Sequence, residues 1–197
     1  MEMEIKTDEE LFQLFLKGME EAFTKLVERY QEPLLGFAYK ILGDREKAEE
    51  VFQETFVRIF RYRKSFRPGK TFRAWIYTIA LHLCRDEMRK KASTVSHSQS
   101  LNEGMEEEIL HEAISPDSLL ASQEMESIIE EGLAQLSPKH REVLVLYHFQ
   151  ELKYEEISQI LGRKIGTIKS QLHYALNHLK KVLEPKLNSY SHPPQIE

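Results

Sequence analysis

Lys153 to Lys181 reads KYEEISQILGRKIGTIKSQLHYALNHLKK, and its spacing sets the class of fold. Ile157, Ile160 and Leu161 fall on one face of a short amphipathic helix. Gly162 lets the chain turn, and Ile165, Ile168, Leu172, Ala175 and Leu179 then repeat at helical spacing in a longer helix. Two helices joined by a brief glycine-containing turn make the helix-turn-helix layout, whose second helix enters a DNA major groove. The apolar stripe of that helix leaves Thr167, Ser170, Gln171 and Tyr174 outward, flanked by Arg163, Lys164, Lys169 and His173. Cations hold phosphates and set register, whereas hydroxyls, the amide and Arg163 or Lys164 suit base edges. The pattern alone leaves one plainer alternative open, a charged and solvated helix at the end of an ordinary bundle.

Upstream, Met125, Ile128, Ile129, Leu133 and Leu136 share one face of a helix over 123–136, and Ser137 with Pro138 reads as the N-cap and first position of another. From Ala92 to Ser122 the composition shifts to Ser and Glu with few large apolar residues, which predicts a flexible acidic linker, with a short helix around Glu106 to Ala113. From Asp8 to about Lys91 apolar residues again recur at three and four: Leu11, Phe12, Phe15, Leu16; Phe23, Leu26, Val27, Tyr30; Val51, Phe52, Phe56, Ile59, Phe60. Pro33 is expected in the first turn of a helix, Gly43 as a C-terminal stop and Asp44 as the next N-cap. The expected fold is all-α. A helical bundle spans 8–92, the linker 93–122, the helix-turn-helix domain 123–184 and a disordered tail 185–197.

Charge is distributed in blocks. The 197-residue chain carries a net −5, which by itself argues against a nucleic-acid partner. Yet Arg58 to Lys91 holds eleven Lys or Arg against two acids, Ser93 to Ser122 six acids and no Lys or Arg, and Arg163 to Lys181 five bases and no acid. Two basic blocks are thus held apart by an acidic spacer. The N-terminus MEMEIKTDEE is acidic, no apolar run approaches the roughly 18 residues of a membrane span, and Cys84 is the single cysteine, so a reducing cytoplasmic setting is expected. A Gly-rich phosphate loop, paired histidine ligands and a nucleophile set beside a histidine are missing from the sequence, which disfavours an enzyme and predicts neither metal nor cofactor. His82 and Cys84 are two apart on a helix, so they point to different faces.

The first basic block contains RYRKSFRPGK, Arg61 to Lys70, and then TFRAWIYTIALHLCRDEMRKK, Thr71 to Lys91. Phe72, Trp75, Ile76, Ile79 and Leu83 form an inward stripe, so Trp75 belongs with the core by this pattern, with base-stacking the lesser alternative. Arg73, Tyr77, Thr78, His82, Arg85 and Arg89 make up the other face. Cations alternating with Tyr62 and Phe66 beside a Pro68-Gly69 turn suit single-stranded nucleic acid, because backbone charge is neutralised while unstacked bases find flat partners. A membrane surface fits less well, since too few large apolar residues share the exposed face.

The segments AFTKLVERYQEPLLGFAYKILGDREKAEEVFQETFVRIFRYRKSF, TFRAWIYTIALHLCRDEMRKK and LAQLSPKHREVLVLYHFQELKYEEISQILGRKIGTIKSQLHYAL resemble, in order and spacing, the two domains of bacterial sigma-70 family sigma factors. The closest resemblance is to the small extracytoplasmic-function (ECF) subfamily, over about three quarters of the chain. The resemblance implies roles for particular residues. The helix carrying Glu50, Gln53 and Glu54 would dock on the clamp of core RNA polymerase. The loop and helix bearing Arg63, Lys64, Arg67, Lys70, Arg73, Tyr77, His82 and Arg85 would capture the melted minus-ten promoter strand, including a base flipped from the stack. The helix-turn-helix residues Arg163, Lys164, Thr167, Lys169, Ser170, Gln171, His173 and Tyr174 would read the minus-thirty-five duplex. The acidic linker would thread the polymerase cleft, and an anti-sigma factor is the further partner implied.

This chain departs from the ECF pattern where Leu81 and His82 replace a usual Arg-Asn pair, Thr78 a usual Arg, and Gln171 and Tyr174 two usual arginines. Each missing cation weakens the hold on phosphate and hence salt-dependent affinity. His82 either reads a base or packs as an ordinary helix residue. Two alternatives remain from the sequence: a sigma-like protein that has lost promoter function, and an ordinary helix-turn-helix regulator.

Overall fold

A computed structural model describes residues 6–66, 69, 71–97 and 116–191. Among these the secondary structure is helical: α1 Asp8–Leu16, α2 Glu20–Leu42, α3 Arg45–Arg61, α4 Phe72–His97, α5 Pro116–Ala134, α6 Pro138–Leu144, α7 Tyr154–Leu161 and α8 Ile165–Ser191. A 3-10 turn, Arg63–Ser65, follows α3, and a π turn, Val145–Phe149, continues α6. The all-α expectation holds.

Local chemistry sets the helix ends. Thr7 accepts from the Glu10 amide at 3.2 Å while Glu10 accepts from the Thr7 amide at 2.8 Å, a reciprocal cap that starts α1. Gly43 adopts φ 67°, ending α2, and Asp44 accepts from the Lys47 amide at 3.0 Å to start α3, as the sequence implied. Pro33 instead lies inside the 23-residue α2, where the expectation was a new helix. Proline removes one rung of the ladder. Buried Leu26, Tyr30, Leu34 and Phe37 anchor α2 on both sides of the gap, so packing overrides the local rule.

Other boundaries also move. α4 runs to His97, α5 begins at Pro116, and α8 continues through Pro185 to Ser191, so helix enters both ends of the segment read as linker and the start of the segment read as tail. Pro116 occupies the first helical position, where its missing N–H costs nothing. The short helix expected around Glu106 to Ala113 lies outside the described residues.

Helices α1 to α4 form the first unit, with α2 packed against α1, α3 and α4. Its centre is aromatic. Phe12 is fully buried, with ring centroids at 5.0 Å from Phe66, 5.1 Å from Phe72 and 5.5 Å from Trp75. Helices α5 to α8 form the second unit, centred on Leu133, Val143, Leu144, Leu146, Ile157, Ile168, Leu172 and Ala175. α5 crosses α8 at Gly132, where a Cβ would meet the Leu179 side chain at 2.4 Å, so close approach there needs the missing side chain.

The two units pack on each other. α4 lies on α7, and α2 meets α6 and the π turn. Arg141 of α6 ties the units together: its guanidinium donates to the α5 carbonyls of Leu133 at 2.8 Å and Ala134 at 2.9 Å and to the α2 carbonyl of Ile41 at 2.8 Å. Three carbonyls at helix C-termini thus share one cation, which also offsets the negative ends of two helix dipoles.

Candidate nucleic-acid interface

The start of α8 is set by its own turn. Gly162 adopts φ 63°, which ends α7, and Ser158 donates to the Arg163 carbonyl at 2.7 Å, fixing the approach to α8. Ile168, Leu172 and Ala175 are buried, so Lys164, Thr167, Lys169, Ser170, His173 and Tyr174 are left exposed on the remaining faces. Lys169 Nζ lies over the Tyr154 ring, 5.2 Å from its centroid. His173 shares a hydrogen bond of 2.8 Å with Asn177. Tyr174 stacks on His140 of α6 at 4.3 Å, and Ser137 Oγ lies 2.8 Å from Nδ1 of that imidazole. Tyr174 therefore presents an oriented ring.

Arg163 and Gln171 are committed internally. Arg163 donates to Gln171 Oε1 at 3.1 Å and to Glu142 Oε2 at 3.0 Å, and both residues are half-buried.

The first unit presents its basic loop differently from the sequence pattern. Arg63 lies over the Phe60 ring at 4.7 Å and donates to the Phe60 carbonyl at 2.7 Å. Lys64 and Tyr62 are exposed, Tyr62 at 53%. Phe66 packs on Trp75 at 5.2 Å as well as on Phe12, so it belongs to the core edge, and of the two aromatic rings only that of Tyr62 stays at the surface. Arg67 and Lys70 lie outside the described residues.

On α4 the expected outer face is largely covered. Tyr77 is 1% exposed and donates to Gln150 Oε1; Arg73 donates to the Gln150 carbonyl; Arg85 makes a two-pronged pair with Glu142 at 2.7 and 2.8 Å. His82 alone of the four is exposed. The sequence pattern assumed one buried face, whereas α4 has two, one against its own bundle and one against the second unit. Leu81 is fully buried, and Thr78 donates to the Ala74 carbonyl at 2.7 Å. Of the three departures on this helix, His82 is the one that faces solvent.

Burial also shapes titration. Tyr77 is pushed well above the usual phenol range, first by burial. The Cys84 thiol is pushed up to about 12, chiefly by burial, with the nearby Glu142 carboxylate adding to it. It is consequently a structural thiol rather than a nucleophile.

A third surface lies on α3. Glu50 and Gln53 are exposed along one face and Glu54 is partly so, with Glu50 paired to Lys47 at 2.7 Å and Glu54 to Arg58 at 2.8 Å. Val57 continues the same face at 46% exposure and Phe60 is 49% exposed, although spacing had placed Phe60 inward. Thr55, in line with buried Val51 and Ile59, is itself buried, and its hydroxyl bonds back to the Val51 carbonyl at 2.6 Å. An apolar step beside carboxylates suits a protein partner. Sequence reasoning missed Val57, and its i, i+4 relation to Gln53 was the available signal.

Among the described residues no helix is long and apolar enough to cross a membrane, and no group of three His, Cys, Asp or Glu side chains could hold a metal ion.

Two family models match the chain: sigma-70 region 2 over residues 26–94 and sigma-70 region 4 over residues 127–179. The ECF RNA polymerase sigma factor SigW of Bacillus subtilis is 31% identical over 173 residues, covering 85% of this chain and 91% of that protein. The RNA polymerase sigma-H factor of Pseudomonas aeruginosa is 28% identical, over 91% of this chain and 95% of its own length. Among solved structures, the sigma factor RpoE of Bartonella quintana, crystallised with the anti-sigma factor NepR, superposes with a TM-score of 0.67 at 28% identity, covering 82% of this chain and 96% of that one. CnrH, solved with the cytosolic domain of CnrY, has the same fold, with a TM-score of 0.67 at 22% identity over 91% of this chain.

Proposed function

The chain belongs to the ECF RNA polymerase sigma factors, and we propose a division of labour among its three surfaces in giving core polymerase its promoter specificity. As a sigma factor it binds core RNA polymerase and directs promoter recognition in transcription initiation. The face Glu50, Gln53, Glu54 and Val57 docks on polymerase. Arg63, Lys64, Tyr62 and His82, joined by Arg73 and Arg85 when these are released, hold the melted minus-ten strand. Lys164, Thr167, Lys169 and Ser170 meet the minus-thirty-five duplex, with Tyr174 as an oriented ring beside them. Polymerase performs the chemistry, so no residue of this chain is assigned a catalytic role. An anti-sigma factor that covers these surfaces is the expected regulator.

The observation that carries this reading is the exposed row on α8, in which cations and hydroxyls stand together on a helix held by a glycine turn. Replacing both Lys164 and Lys169 by Ala should weaken the promoter complex of the polymerase holoenzyme and flatten its dependence on log salt by about two, one for each phosphate no longer neutralised. Salt titration of promoter complexes measures this. An unchanged slope would remove these lysines from the phosphate surface. Gln171 and Arg163 occupy each other, so alanine at Gln171 should alter α8 sequence preference less than alanine at Ser170.

A further inference from the structure

We propose that His140 is a positioning residue for duplex reading: by stacking on Tyr174 it holds that ring as a fixed apolar contact for the methyl group of a thymine, so that the pair sets the preference of α8 at one base pair. The proposal rests on the assignment of α8 to the minus-thirty-five duplex made above. Tyr174 is 57% exposed and lies seven residues after Thr167 and four after Ser170, so the three share one row of the helix. The row thus ends in a flat ring where its first members offer hydroxyls. A hydroxyl pairs with several base edges, whereas an apolar surface in the major groove is matched by the C5-methyl that thymine carries and the other bases lack.

What distinguishes Tyr174 from an ordinary exposed tyrosine is how it is held. Its ring stacks on His140 at 4.3 Å with 27° between the planes, and Ser137 Oγ lies 2.8 Å from Nδ1 of that imidazole. The His178 ring, one turn further along α8, is nearly parallel to Tyr174 at 8°, with its centroid 6.4 Å away. Both α6 and α8 therefore contribute to the orientation of one side chain. Burial first, then the charges of Lys139 and Arg163 and the neighbouring His178, keep the His140 imidazole below the usual histidine range. It consequently stacks as a neutral ring at neutral pH, with one nitrogen bound to Ser137. A side chain ordered before binding does not lose its rotamer freedom on binding, and a held ring cannot swing to follow a wrong base. His140 acts through Tyr174 and needs no contact with DNA of its own.

The test uses the holoenzyme formed by the full-length chain with bacterial core polymerase, and a promoter library with a randomised minus-thirty-five element whose transcripts are counted by barcode. The unaltered chain should favour thymine about tenfold at one base pair. Tyr174→Phe, which keeps the ring, should retain that preference, and Tyr174→Arg should move it to guanine at the same base pair. His140→Ala should reduce it to about twofold while preferences elsewhere in the element stay, and His140→Phe, which restores a flat ring, should bring it back to within about threefold of the unaltered chain. If His140→Ala does not fold, His140→Gln serves the same comparison. A variant that merely weakened the domain would lower transcription from all sequences together, so the change at one base pair is the decisive readout. Preference retained in His140→Ala, or not recovered in His140→Phe, would overturn the positioning role. Thymine not favoured by the unaltered chain at the pair that Tyr174→Arg changes would overturn the methyl contact. If the unaltered chain showed no preference anywhere in the element, the assignment of α8 would fail and the proposal with it, a result distinct from either of these.

Discussion

Phe12→Ala should cost about 3–5 kcal/mol of folding stability, the range for truncating a fully buried phenylalanine, and so remove much of what holds a domain of this size. The magnitude follows from where Phe12 sits. Its ring meets those of Phe15, Phe66, Phe72 and Trp75, so one residue of α1 joins the loop after α3 to the start of α4. α1 has only nine residues and depends on tertiary packing, because a helix so short is marginal alone. Polar groups place it but do not replace the core: Asp8 pairs with Arg29 at 2.5 Å and accepts from the Tyr30 hydroxyl, and Glu9 accepts from the Phe72 amide at 2.8 Å. Urea unfolding followed by tryptophan fluorescence tests this directly, since Trp75 is in the cluster. A loss below about 1 kcal/mol would mean that α1 is an accessory to the bundle rather than part of its core.

The second large effect concerns polymerase docking. A double variant, Glu54→Arg with Val57→Asp, should weaken binding to core polymerase by about a hundredfold or more, as expected when an apolar anchor is removed and a charge at the same interface is reversed. Both side chains reach solvent, so stability should stay within about 0.5 kcal/mol. The Glu54 to Arg58 pair removed by the first change is a surface i, i+4 pair of little worth by itself. Fluorescence-detected titration of labelled chain with core polymerase measures the affinity. Unchanged binding in a folded variant would move the docking surface away from α3.

The helix-turn-helix was legible because its rule is local. Ile157, Ile160, Ile168, Leu172 and Ala175 are buried as their spacing required, and Gly162 takes the left-handed conformation that the turn demands. The Gly43 stop and Asp44 cap were readable for the same reason. What the sequence could not convey was pairing across the chain. Arg85 and Glu142 are 57 positions apart and Tyr77 and Gln150 are 73 apart, so no periodicity links them. Tyr77 looks like a surface residue when α4 is assumed to bury one face, and it becomes interior once a second unit covers another. Phe60 shows the converse: its position in the stripe suggested burial, but the bundle ends beneath it and leaves half the ring exposed. Pro33 marks the limit of local rules, since strong anchors on both sides keep a helix continuous through a missing hydrogen bond.

That this chain gives core polymerase a promoter specificity of its own can be tested in one experiment. The purified chain is added to bacterial core polymerase free of any other sigma factor, and the 5′ ends of transcripts made from genomic DNA are sequenced. Discrete starts that share two upstream elements are expected, and they should vanish with the docking double variant. Stable binding to polymerase without discrete starts would contradict the assignment and point to a sigma-like protein that holds polymerase without opening promoters.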